Sequence, residues 1–250
     1  MVNPLHPTLE RRRADPTRSA MAVGLFAMAS LIETRDSDSD KHILRVQNYL
    51  QVLAQRLRTH HQLTDRLTED YTNDLIRFAP LYDMGTIGIP DRILLKPGRL
   101  TPREYEIMQT HTTLAYDAIV RAEQTLGLHA EQLQLLKELV HCHQEKWDGS
   151  GYPRGLVGDA IPLSARLLAV ADVYDALISD KVYKSGVSHD KAVGIIFQGR
   201  ESHFDPDVVD AFMDIQDQFD AIAQKHADTA QDMQQKIDYL ANAIAEDAEM

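Results

Sequence analysis

The chain has 250 residues, enough to bury a core in one large domain or two small ones, and 44% hydrophobic with 26% charged residues is globular composition, not that of a disordered or fibrous chain. With 26 Lys and Arg against 38 Asp and Glu, the formal net charge of −12 repels polyphosphate and argues against a polymeric nucleic acid as partner, while leaving room for a small anion held through bound cations. Cys142 stands alone, so a disulfide framework and a multi-cysteine zinc site are excluded, and a reducing, cytoplasmic compartment is the simple expectation.

Residues 1 to 18 are polar, carry Pro4, Pro7 and Pro16, and read as an N-terminal arm without a core of its own. Arg11-Arg12-Arg13 ahead of the apolar run Ala20 to Ile32 has the outline of a secretory signal. That run is shorter than the ~20 apolar residues a bilayer-spanning helix needs, and it continues into a helical pattern, so no membrane segment is expected. Leu25, Met28, Leu31 and Ile32 recur at helical spacing, as do Leu44, Val46, Leu50, Leu53 and Leu57. A third helix is predicted near Thr68 to Leu81, with Tyr71, Leu75, Phe78 and Ala79 inward.

Gly85 to Gly98, with Pro90 and Pro97, is a structured connection. Thr101-Pro102-Arg103-Glu104 then starts a helix: a Thr cap, Pro in the first helical position and Glu three after the cap. Met108, His111 and Leu114 fall on its neighbouring turns. Further helices are predicted over about 130 to 143 and 164 to 179, separated by a glycine- and proline-rich loop from Asp148 to Pro162. Asp205-Pro206 opens a later helix by the same cap-then-Pro logic. No alternating strand pattern intervenes, and the expected fold is all-α. After Phe212, the residues Ile215, Phe219, Ile222, Ala230, Met233, Ile237, Leu240 and Ile244 approximate a 3-4 spacing interrupted at His226. Two readings stay open for this C-terminal helical extension, a dimerisation helix or an amphipathic helix folded back on its own domain.

Eleven His are the unusual item of composition. His42, Asp83, His111, His143 and Asp172 each lie on, or at the end of, a different predicted helix, and helical bundles build di-metal sites from imidazoles and carboxylates converging in this way. So far apart in sequence, their spacing alone names no site.

The motifs are more specific. The run from His143 through Gln144, Glu145, Trp147, Asp148, Gly149 and Gly151 to Tyr152-Pro153 resembles the HHExxDGxGYP motif of HD-GYP proteins, bacterial phosphodiesterases of the HD superfamily that hydrolyse cyclic di-GMP. Glu33 to Asp36 with His42 and Arg45 is similar to the family's first metal helix. Leu81 to Thr86, then Ile89-Pro90-Asp91 and Leu95 to Gly98, is similar to the end of its HD helix and the continuation beyond it. Met108 to His111, Val170 to Leu177 and Phe204-Asp205-Pro206 extend the resemblance over about residues 20 to 223. It implies an HD-domain helical bundle over 19–223, followed by a helical tail over 224–250.

The resemblance further implies two metal ions, iron by preference and manganese as the alternative, bridged by Asp83 as the central catalytic residue. His42 and Asp172 would lie on one side and His111 and His143 on the other. Asp38 stands where some members carry a Glu for a third metal. Lys181, Lys184, Tyr152 and Arg45 fall at substrate-contacting positions, and the GYP loop is a place where a diguanylate cyclase domain can dock. A water between two cations is acidic enough to act as nucleophile at neutral pH.

Three residues depart from the pattern. Tyr82 replaces the His of the HD pair, Thr86 a Lys, and Gln144 the second His of HHE. Tyr82 has two readings, an oxygen ligand suited to ferric iron or a neutral phenol packed beside the cluster. Gln144 is a weaker donor than imidazole. The expected function is metal-dependent hydrolysis of cyclic di-GMP at weakened rate. The alternative is a degenerate relative that keeps metal or nucleotide and serves as a receptor or docking module. An HD-superfamily hydrolase of another phosphate ester ranks third, because the GYP loop argues against it.

Overall fold

The computed structural model describes residues 16–36, 40–59, 63, 65–127, 132–180, 185–232, 234 and 237–238. Among them every regular element is helical, and the only β pairings are isolated bridges, Asp148 with Val157 and Arg200 with Phe204. The order is α1 (Pro16–Asp36), α2 (Asp40–Leu57), α3 (Glu69–Phe78), α4 (Asp91–Leu94), α5 (Pro102–Leu126), α6 (Gln132–Cys142), α7 (Leu163–Ile178), α8 (His189–Gln198) and α9 (Pro206–Lys225), with 3-10 turns at Ala79–Leu81, Met84–Gly88 and Gly158–Ala160.

The caps read from the sequence are present. Thr101 Oγ1 accepts from the Glu104 amide at 3.3 Å while Glu104 Oε2 accepts from the Thr101 amide at 2.7 Å, closing a capping box at the start of α5. Asp205 caps α9 by accepting from the Asp207 amide at 2.8 Å; a cap not read from the sequence, Thr68, starts α3. Two expectations shift. α1 begins at Pro16, inside the stretch read as an arm, because Pro suits a first helical turn. Its packed stripe is Leu25, Ala29 and Ile32, so Met28 and Leu31, about a quarter-turn aside, face outward and are exposed.

α2 runs through the middle of the bundle, against α3, α7 and α9. Ile43, Val46, Tyr49, Leu50, Leu53, Ala54 and Leu57 are its buried face. Tyr49 stacks on Phe219 of α9 at 4.5 Å between ring centres, and Tyr174 of α7 meets both rings edge-on. The apolar stripe of α9, Phe212, Ile215 and Phe219, is therefore spent inside the domain, as the folded-back reading supposed. α9 stops at Lys225, the helix resumes after Thr229, and Met233, Leu240 and Ile244 lie outside the described residues.

Phe219 is fully buried at this aromatic junction, and replacing a buried Phe by Ala removes contacts that a rigid core cannot refill. Phe219→Ala is expected to cost about 3–5 kcal/mol, read as a lower urea midpoint at unchanged slope.

Candidate metal centre

Five elements deliver the candidate residues to one end of the bundle. α2 carries His42 and Arg45, the turn after Ala79–Leu81 carries Tyr82 and Asp83, α5 carries His111, the C-terminus of α6 leads into His143, and α7 carries Asp172 and Asp175. The decisive local step is the approach of the Met84–Gly88 turn to α5. A Cβ on Gly85 would stand 1.9 Å from the His111 carbonyl oxygen, so only glycine lets Asp83 come within reach of the His111 ring. Arg35 of α1 holds that turn from outside, donating to the carbonyls of Thr86 at 3.1 Å, Ile87 at 2.6 Å and Ile89 at 3.1 Å, and pairing with Asp91.

Asp83 Oδ1 lies 3.3 Å from His111 Nε2 and 3.0 Å from His143 Nε2, and the two nitrogens are 3.1 Å apart. Both rings point their other nitrogen at a backbone carbonyl, His111 Nδ1 at Met108 (2.7 Å) and His143 Nδ1 at Leu139 (3.0 Å). A carbonyl can only accept, so each Nδ1 carries a proton and each Nε2 is the nitrogen left to face the Asp83 carboxylate, a lone-pair donor to a metal when its ring is neutral. Three donors so placed fit one face of a divalent ion, since neighbouring ligands at ~2.1 Å from a metal lie ~3 Å apart. Protonation is the other way to satisfy them. Burial alone would raise the Asp83 carboxyl, but hydrogen bonds from His111 and His143 outweigh it and hold the group well below the ordinary carboxylate range.

His42 and Asp172 are brought to the same end of the bundle but are joined differently. Tyr82 Oη donates to Asp172 Oδ1 at 2.6 Å and stands 3.1 Å from His42 Nε2. Burial, then the charge of Asp83, pushes the Asp172 carboxyl up. His42 Nδ1 donates to Asp175 Oδ2 at 2.8 Å, which fixes the ring. Asp175 in turn takes a two-pronged bond from Arg45, Nε to Oδ1 at 2.6 Å and Nη2 to Oδ2 at 2.8 Å.

Arg45 was expected at the substrate. The structure instead buries it beneath His42, with further bonds to Ser179 Oγ at 2.9 Å and the His226 carbonyl at 2.9 Å and a second carboxylate, Asp228, 3.9 Å from its Nη1. Asp175 is the residue sequence reasoning missed. Its signal was present, one helical turn beyond Asp172 on α7.

Tyr152, also expected at the substrate, is half-buried at the rim, its ring edge-on to His111 and to the exposed Tyr105. Gln144 lies in the turn before the loop, where its backbone carbonyl accepts from the Tyr152 amide at 3.1 Å. Glu145 and Asp148 cap the loop from within: Glu145 takes the amides of Arg154 and Leu156 at 2.8 and 2.9 Å, and Asp148 the amide of Ser150 at 2.9 Å. Thr86 turns inward, its hydroxyl donating to the Asp83 carbonyl at 2.8 Å, so the place of a Lys supplies no cation. Asp38, Lys181 and Lys184 lie outside the described residues.

The profile of the HD domain matches residues 27–208. The chain belongs to the HD-domain family. A probable cyclic di-GMP phosphodiesterase of Vibrio cholerae is 52% identical to this HD-domain chain over 218 residues, 87% of this chain and 49% of that protein. A cyclic di-GMP phosphodiesterase of the same organism is 44% identical over 230 residues, 92% of this chain and 46% of that protein. The chain thus spans about half the length of the curated relatives it matches. A solved HDG"Y"P protein from Bdellovibrio bacteriovorus shares the fold at a TM-score of 0.50 and 19% identity, over 71% of this chain and 53% of that one. The HD-GYP resemblance read from the motifs is borne out, as is the all-α bundle.

Asp175 is the counter-ion of a buried Arg, and removing one partner of a buried pair costs about 3–5 kcal/mol. Asp175→Asn is expected to lose stability of that order in urea unfolding at pH 7. Burial alone would raise the Asp175 carboxyl, but bonds from Arg45 and His42 hold it below the usual range. The stabilisation is therefore complete above pH ~4 and fades as pH falls through the lowered value of the folded state. The variant should lack that acid-limb component.

Proposed function

We propose that this HD domain is a metal-dependent phosphodiesterase that opens cyclic di-GMP, with the ion held by Asp83, His111 and His143. The observation that carries it is the meeting of two imidazole Nε2 atoms and a carboxylate oxygen at 3.0–3.3 Å beside a GYP loop. The named activities of the Vibrio relatives support the same substrate. A divalent ion, iron by preference and manganese as the alternative, would supply Lewis-acid stabilisation of the phosphoryl oxygens and acidify coordinated water. The chain's part is to present the Nε2 atoms of His111 and His143, hold a proton on each Nδ1, and place the Asp83 carboxylate between them. His42 and Asp172 frame the other side of the cluster through Tyr82. Tyr152 offers a phenol at the rim; burial pushes its ionisation upward, which keeps it a neutral hydrogen-bonding group.

Outside the centre, Pro153, Arg154, Gly155 and Val157 expose one edge of the loop, which supports docking of a protein such as a diguanylate cyclase domain there. No helix among the described residues is long and apolar enough to cross a membrane, and a cytoplasmic place for this chemistry is part of the proposal.

A receptor without turnover is the second reading, favoured by Tyr82 filling the space between His42 and Asp172 and by the inward turn of Thr86. Product analysis separates the two. Cyclic di-GMP incubated anaerobically with iron- or manganese-loaded protein is expected to yield the linear dinucleotide or GMP, and Asp83→Ala to abolish both product and metal. A metal-bearing protein that forms no product would overturn the enzyme reading and turn the assignment to a receptor or docking role.

A further inference from the structure

We propose that Tyr82 closes the metal subsite of His42 and Asp172, so that the resting centre takes one ion, at Asp83, His111 and His143, where the HD-GYP resemblance implies two. The inference rests on that trio being the metal centre.

The first ground is reach. A phenol oxygen ends about one metal–ligand bond, ~2 Å, further from the backbone than the Nε2 of an imidazole at the same position. A His at position 82 would stop short of an ion by one bond length; the Tyr hydroxyl extends to where that ion would be. It occupies that place between the two groups, at hydrogen-bonding distances of 2.6 Å to Asp172 Oδ1 and 3.1 Å to His42 Nε2.

The second ground is that neither neighbour can swing away to receive an ion elsewhere without loss. His42 is tied through Nδ1 to Asp175, which Arg45 grips with two nitrogens inside the protein. Turning the imidazole would leave a buried carboxylate short of a donor. The Tyr82 ring itself is 5% exposed and stands edge-on to His143 at 5.2 Å between centres, so retreat of the phenol would open a void against a ligand of the other subsite.

The third ground is chemical. Tyr82 brings one proton into a place where His would bring a lone pair, and that proton is engaged on Asp172. The hydroxyl thus donates to an acceptor on α7 and stands against an imidazole on α2, a protonated oxygen in the place of a coordinated ion.

Metal content per chain tests this directly. Protein loaded anaerobically with iron(II) or manganese(II), desalted, and assayed by elemental mass spectrometry is expected to hold one ion, lost in His111→Ala. Tyr82→His is expected to double the content to two, with helicity and thermal midpoint checked alongside. Two ions in the unaltered protein, or one in a folded Tyr82→His variant, would overturn the closure by Tyr82. A visible phenolate-to-iron charge-transfer band in the iron-loaded, air-oxidised protein would overturn it too, since Tyr82 would then be a ligand. That spectrum and the wild-type stoichiometry decide even if Tyr82→His fails to fold. No ion at all in the unaltered protein would instead sink the metal-centre reading beneath it.

Discussion

The close approach of the Met84–Gly88 turn to α5 is the constraint on which the centre depends. Asp83 lies at the start of that turn and His111 on the helix, and a single missing Cβ at Gly85 lets the two backbones meet. Everything nearby serves to keep the contact. Arg35 satisfies three carbonyls of the turn, Thr86 bonds back to Asp83, and the capping box at Thr101 fixes where α5 begins. A carboxylate placed between two imidazoles is useful chemically only because this packing leaves it few other positions.

A second layer stands behind His42. Arg45 and Asp175 form an ion pair inside the protein, costly to desolvate and justified here by the geometry it imposes on the imidazole. The layer ties α2 to α7 and, through the His226 carbonyl, to the end of α9. The site end of the bundle and its aromatic core at Tyr49, Tyr174 and Phe219 thus share the same three helices. The packing of the Asp83 end is continuous with that of the core.

Much of this was legible in one dimension. Helix starts at Thr101 and Asp205 announced themselves because capping is local chemistry, decided within four residues. The ligand candidates were visible through motif resemblance. What periodicity misjudged was the rotation of α1, where two stripes of apolar residues compete and only the neighbours decide which faces inward. The same applies to Arg45. A cation at that position reads as a substrate contact until α7 supplies Asp175 beneath it.

The sequence by itself determined the helical class, the loop boundaries, the family, and which residue types gather at the centre, because these follow from short-range backbone preferences and from motifs carried by neighbouring residues. Tertiary structure decided how those residues divide. It set two ring nitrogens, of His111 and His143, against one carboxylate oxygen of Asp83, and it strung His42, Tyr82 and Asp172 on a shared hydroxyl. That division turns on ångström-scale distances between helices tens of residues apart, and on where one phenol oxygen ends, which only the packed bundle fixes.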